Sequence, residues 1–345
     1  MSNPNEAPKS NRVGLTFQDY RGKESTLCTG CGHDAITSHI IRAFFEYGVD
    51  PRRVIKLSGI GCSSKTPTYF MARSFGFNAV HGRMPSVATG ALLANHHLKA
   101  VGISGDGDTA SIGMGQFVHA LRRNIPMIYI MENNGVYGLT KGQFSATADA
   151  GSKLKTGVVN ELPAIDCCVL AIELGCGYVA RSFAGDPKQL VPLLKGALSH
   201  KGMAFLDVLS PCVTFNNHEG SSKSYKHLKD TEELLHEVGF VPFYEPISAD
   251  YPEGSVQVIE LHDGSRLTLG KLEREYNPTD KMEALRRIQE ARDRDEFLTG
   301  LFYVDTRQPD FTERLNVVDE PLATLAPERT RPARDVLRKI MDGLK

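Results

Sequence analysis

A chain of 345 residues can bury one large core or two modest ones, and its 41% hydrophobic and 23% charged residues describe a globular protein, not a disordered one. Lys plus Arg number 40 against 41 Asp plus Glu, a formal net charge of −1, which excludes a global field for nucleic acid or a membrane surface. The polar start from Met1 to Ser10 lacks a signal-peptide core, and no apolar run approaches the roughly 20 residues of a spanning helix, so a cytoplasmic protein is expected.

Residues 1–22 read as a flexible arm, because Asn, Pro, Ser and Lys dominate and offer little to pack. A buried strand is predicted at 54–57, a helix at 87–98, a strand at 100–103, a helix at 115–122 and a strand at 127–131. A helix at 188–199 and a strand at 204–209 follow. This alternation predicts an α/β fold, a doubly wound, mainly parallel sheet occupying residues 23–220. From about residue 220 apolar runs thin out and charge rises, so 221–345 reads as a C-terminal extension, with helical patterns at 281–297 and 332–344.

Ligands of such sheets bind beyond the carboxyl ends of the strands. The four segments there are the most unusual in the chain: residues 59–64 (Gly-Ile-Gly-Cys-Ser-Ser), 105–108 (Gly-Asp-Gly-Asp), 132–135 (Glu-Asn-Asn-Gly) and 210–212 (Ser-Pro-Cys). Gly105-Asp106-Gly107 and Asn133-Asn134 stand one helical crossover apart. A carboxylate, an amide oxygen and a backbone carbonyl from neighbouring strand ends supply hard oxygen ligands for Mg²⁺, while glycine lets backbone approach phosphate. The spaced pair resembles the cofactor motif of thiamine-diphosphate enzymes. The fuller pattern adds His119-Ala120, Arg122-Arg123-Asn124 and Asn134-Gly135-Val136-Tyr137-Gly138-Leu139-Thr140, and resembles the beta subunit of 2-oxoacid:ferredoxin oxidoreductases over about residues 23–220.

That resemblance implies a thiamine-diphosphate-binding fold with Mg²⁺ held by Asp106, Asn134 and the Val136 carbonyl. Gly107, Asp108, Gly138 and Leu139 then lie near the diphosphate, and Ile60, Gly61, Cys62, Ser63 and His81 touch the cofactor. The segment Cys28-Thr29-Gly30-Cys31-Gly32-His33 is by itself open between structural zinc, a redox dithiol and an iron–sulfur cluster, since two thiolates on one turn suit all three. The seven cysteines are poor disulfide candidates in a reducing compartment. The resemblance adds Cys62 and Cys212 and so implies a [4Fe–4S] cluster on Cys28, Cys31, Cys62 and Cys212. Cys167, Cys168 and Cys176 read as buried small apolar residues.

By the same resemblance, an alpha subunit supplies the activating Glu, the assembly is an (alpha-beta)₂ type, coenzyme A takes the acyl group and ferredoxin takes the electrons. Lys65 and Lys141 offer cations for a 2-oxoacid; Lys141 stands where pyruvate-type relatives tend to have Gly, which points to 2-oxoglutarate and its distal carboxylate. The expected activity is oxidative decarboxylation of 2-oxoglutarate with coenzyme A to succinyl-CoA and CO₂. The alternatives are another 2-oxoacid such as pyruvate, a non-redox thiamine decarboxylase or synthase, and a zinc-binding interaction module.

Overall fold

The computed structural model describes residues 10–140, 142–153, 157–214, 247–261 and 266–344. The elements carrying the site come first in the chain: α1 (Gly32–Tyr47), β1 (Val54–Ser58), β2 (Phe75–Asn78), α2 (Met84–Ala94), β3 (Lys99–Gly105), α3 (Met114–Arg123) and β4 (Met127–Asn133). A small ribbon of β5 (Val136–Tyr137) and β6 (Gln143–Phe144) follows, then α4 (Cys167–Glu173), β7 (Tyr178–Phe183), α5 (Pro187–Ser199) and β8 (Ala204–Leu209). Later come β9 (Val256–Glu260), β10 (Arg266–Lys271), α6 (Lys281–Asp293), β11 (Phe297–Val304) and the short helices α7 (Phe311–Arg314), α8 (Pro327–Thr330) and α9 (Arg334–Asp342).

Nine strands form one sheet in the order β2-β1-β3-β4-β8-β7-β11-β10-β9. The six from β2 to β7 run parallel; β11 joins β7 antiparallel. Strand parity divides the side chains between two layers. Met127, Tyr129 and Met131 of β4 pack toward α2, α3, α4 and α6, whereas Ile128 and Ile130 pack toward α1 and α5. Each fully buried aliphatic or aromatic side chain of α1, such as Ile36, Ile40 and Phe44, contributes about 1.5–3 kcal/mol to that docking. The doubly wound, mainly parallel sheet is therefore as expected. Because the chain steps outward from β1 to β2 and then returns past β1 to β3, the switch point lies between β1 and β3, where 59–63 and 105–108 emerge.

Several elements differ from the sequence expectation. The first helix of the pair starts at Met84, with Pro85 in its first turn, and stops at Ala94 because Asn95 is extended. The helical pattern at 281–297 ends at Asp293, and its last apolar residue opens β11. Strand β7 escapes the sequence pattern because Arg181 and Ser182 interrupt its apolar run, although both are buried. Residues 10–22 were expected to pack little; instead Tyr20 is fully buried, donates to the Val49 carbonyl and meets Phe45 edge-on. The described part of the C-terminal extension is partly sheet, since β9, β10 and β11 continue the core. Among the described residues no helix is long and apolar enough to cross a membrane.

Candidate active site

At the end of β3, Asp106 is buried and its neighbours are oxygen and nitrogen donors from the far side of β4. The Asn134 backbone N–H donates to Asp106 Oδ1 (3.3 Å), and Thr147 Oγ1 (2.7 Å) and Ser145 Oγ donate to Oδ2. Thr147 also donates to Asn133 Oδ1 (3.0 Å), whose Nδ2 donates to Asp207 (3.0 Å). Asp207 in turn accepts from Arg181, which also pairs with Asp166. The Asn134 side-chain oxygen accepts from the Val136 N–H (3.0 Å) and so shapes the turn into β5. Asp106, Asn134 and Val136 are thus gathered in one place. Among the described residues no basic side chain pairs with Asp106. A buried carboxylate ringed by neutral donors suits a cation, so the set fits Mg²⁺.

Asp108, expected near the diphosphate, is buried just beyond the end of β3. Its carboxylate accepts from the Gly82 N–H (2.7 Å) and from Ser104 Oγ (2.8 Å), and so bolts the loop after β2 to the end of β3. It also fixes residue 59 as glycine, because a Cβ there would lie 1.8 Å from Asp108 Oδ2. The loop carrying Ile60, Gly61, Cys62 and Ser63 is held by this contact, and the exposed His81 by the neighbouring one. Tyr137 Oη donates to the Gly107 carbonyl (2.8 Å). Gly138 is half-buried and Leu139 is exposed; Lys141 lies outside the described residues.

The cysteine set sits on the other face of the same strand ends. Cys31 occupies the position just before α1, and its N–H donates to the Cys28 carbonyl (3.0 Å), closing the C-x-x-C turn at a helix N-terminus, where thiolates are favoured. Cys62 opens the turn Cys62–Thr68 after β1, and Cys212 follows β8. No disulfide joins them. Burial pushes the Cys31 thiol well up, with Cys212 and Glu132 adding to the effect; burial and then Cys28 raise Cys62, against half-buried Lys65. Among the described residues no three His, Cys, Asp or Glu side chains converge on one metal-ion position. A four-iron cube asks for one thiolate at each of its irons, so its ligands stand apart. Raised Cys31 and Cys62 thiols fit a group whose positive charge would draw them into the thiolate form.

Cys167, Cys168 and Cys176 are buried in the core, as expected. Cys176 donates to the Tyr178 and Met203 carbonyls, and burial pushes its thiol up to about 12. Sequence reasoning missed Ser145, Thr147, Asn133 as a partner of Asp207, and Glu132. Only Glu132 left a signal: an acid appended to the all-apolar run Met127–Met131.

A family model described as thiamine pyrophosphate enzyme, C-terminal TPP binding domain, matches residues 59–208. Another, for the C-terminal part of the pyruvate ferredoxin oxidoreductase beta chain, matches 266–320, so similarity continues past residue 220, where the sequence alone offered little. A 2-oxoacid:ferredoxin oxidoreductase beta subunit of Sulfolobus sp is 46% identical over 191 residues, 55% of this chain and 63% of that one. Subunit beta of 2-oxoacid:ferredoxin oxidoreductase 1 from Aeropyrum pernix is 40% identical over 66% of this chain and 70% of its own length. The 2-oxoglutarate synthase subunit KorB of Methanocaldococcus jannaschii is 39% identical over 55% of this chain and 70% of its own. The chain therefore spans 63–70% of the length of these curated relatives. A solved structure of 2-oxoglutarate:ferredoxin oxidoreductase from Magnetococcus marinus, with 2-oxoglutarate, coenzyme A and succinyl-CoA bound, superposes at a TM-score of 0.71 with 29% identity, covering 96% of each chain.

Proposed function

Because this chain belongs to the family of 2-oxoacid:ferredoxin oxidoreductase beta subunits, we propose that it is the cofactor-binding subunit of a cytoplasmic enzyme that oxidatively decarboxylates 2-oxoglutarate. The products are succinyl-CoA, CO₂ and reduced ferredoxin. One observation carries this reading: the joined Asp106–Asn134 pair and the cysteine-bearing turns share the ends of β1, β3, β4 and β8.

Asp106, Asn134 and the Val136 carbonyl hold Mg²⁺, with Ser145 and Thr147 orienting the carboxylate. Gly107, Asp108, Gly138 and Leu139 lie near the diphosphate, Asp108 also anchoring Gly82 beside His81; Ile60–Ser63 and His81 wall the cofactor, and Cys28, Cys31, Cys62 and Cys212 hold the cluster. When bound, thiamine diphosphate supplies an electron sink for loss of CO₂, and the cluster supplies one-electron steps. As in the family it resembles, the carboxylic acid that activates the cofactor comes from the alpha subunit of an (alpha-beta)₂ assembly. Coenzyme A and ferredoxin are the remaining partners.

The substrate assignment draws on Lys141, on the 2-oxoglutarate named for the M. marinus structure, and on the KorB relative. The pyruvate named in the family model at 266–320 favours the second reading. An activity panel of 2-oxoacids with the co-purified partner separates the two. Lys141→Gly is expected to raise KM about tenfold for 2-oxoglutarate, a loss of about 1.4 kcal/mol, and to leave that for pyruvate nearly unchanged. Equal changes for both acids would remove 2-oxoglutarate as the assigned substrate.

A further inference from the structure

Glu132 is fully buried in β4, and nothing in the diphosphate–metal arrangement uses it. Parity turns it to the α1 side, with Ile128 and Ile130. Thr66 Oγ1 donates to both of its oxygens, at 3.1 and 3.0 Å. His33 Nδ1 lies 3.7 Å from Glu132 Oε2 and 2.5 Å from Ser210 Oγ. Each of these residues belongs to a cysteine-bearing segment. Thr66 shares the turn Cys62–Thr68 with Cys62; His33 lies in the first turn of α1, which Cys31 precedes; Ser210 leads into Pro211-Cys212.

The segments also touch through backbone. The Gly32 N–H donates to the Pro211 carbonyl (3.4 Å), and a Cβ at residue 32 would lie 2.6 Å from Ser210 Oγ, so only glycine permits the approach. His33, Glu132, Thr66 and Ser210 are all buried. A polar group placed in the core needs partners, and here the partners belong to the segments that carry the cysteines.

We propose that Glu132, Thr66, His33 and Ser210 form a buried hub that sets the relative positions of the segments bearing Cys31, Cys62 and Cys212, making them positioning residues for the iron–sulfur cluster. This rests on the cluster reading above. The hub explains why an acid ends an otherwise apolar strand: from β4 it reaches Thr66 and lies against His33, while the next residues of the same strand end serve the Mg²⁺ motif.

The test uses the full chain with its partner, purified anaerobically as wild type, Thr66→Val and Thr66→Ser. Iron and sulfide per chain, iron retention against a chelator, and the electron paramagnetic resonance spectrum of the reduced cluster are measured. Thr66→Val keeps the shape and removes the donor; it is expected to weaken iron retention about 10- to 100-fold, the range for outer partners of metal ligands, and to alter the spectrum, while Thr66→Ser restores both. Unchanged retention and spectrum in Thr66→Val would overturn the hub alone, as would failure of Thr66→Ser to rescue. A wild type lacking iron and sulfide would overturn the cluster reading and the hub with it. If Thr66→Val does not fold, Ser210→Ala, which cuts the other arm, is held to the same two outcomes.

Discussion

On the Asn133 side of the β4 end, Asp106, Thr147, Asn133 and Asp207 already hold one another through direct hydrogen bonds, down to the buried Arg181. On the Glu132 side, the segments that carry Cys31, Cys62 and Cys212 meet at His33, Thr66 and Ser210, and burial raises the Cys31 and Cys62 thiols. Hard oxygen ligands can be pre-arranged without their metal, because hydroxyls and amides neutralise none of the carboxylate's need for a cation and still fix its direction. Thiols cannot be pre-ionised cheaply where burial raises them, so on the proposed reading the protein fixes their backbone and leaves the charge to the cluster. On the proposed function, one strand end carries a site built in advance and a site completed on loading.

The strongest way to break this contrast is Asp106→Asn. It removes the only carboxylate among the proposed protein ligands of Mg²⁺, and activity measured with saturating thiamine diphosphate and Mg²⁺ is expected to fall by more than about 100-fold, the upper end for a change in a partner of a metal ligand. Iron content of the same preparation should not move. Loss of iron together with activity would show that the two sides are one unit.

A smaller and more discriminating effect lies in pH. The Glu132 carboxyl is raised in the folded state by burial, so the unfolded chain releases its proton first as pH rises. Stability from this group is complete below its ordinary pKa and is lost as pH climbs above it toward the raised value. Glu132→Gln imitates the neutral acid. Its melting temperature should match wild type below about pH 4.5, the ordinary value for the group, and exceed it increasingly toward neutrality. His33 has the opposite sign: its folded value of about 4 lies below the ordinary 6.5, so acidification from 6.5 to 4 costs stability in both proteins. A melting-temperature difference that is constant across this range would deny a neutral Glu132.

Much of the fold was legible because parallel strands buried on both faces read as apolar runs, as at Val54–Ser58, Met127–Asn133 and Ala204–Leu209. The misses have physical reasons. Arg181 hides β7 because two carboxylates accept its charge inside the core, a pairing that only the folded chain creates. The edge strand β2 is exposed along its whole length and leaves no buried pattern. Of the site, the residues that would meet the cofactor were legible as short motifs at strand ends. Those that hold them were not. Ser145 and Thr147 are ordinary loop residues in sequence, and they reach Asp106 only because the β5–β6 ribbon folds back. The bonds from Gly82 and Ser104 to Asp108 likewise leave no trace in the sequence, because the fold alone brings these residues together.

The most direct test of two different sites on one strand end is metal analysis of anaerobically purified wild type, Cys212→Ser and Cys176→Ser. The expected result is about four iron and four sulfide per wild-type chain, the same in Cys176→Ser, whose thiol is buried in the core, and a clear loss in Cys212→Ser. Zinc without sulfide in the wild type, or equal iron in the two variants, would contradict it.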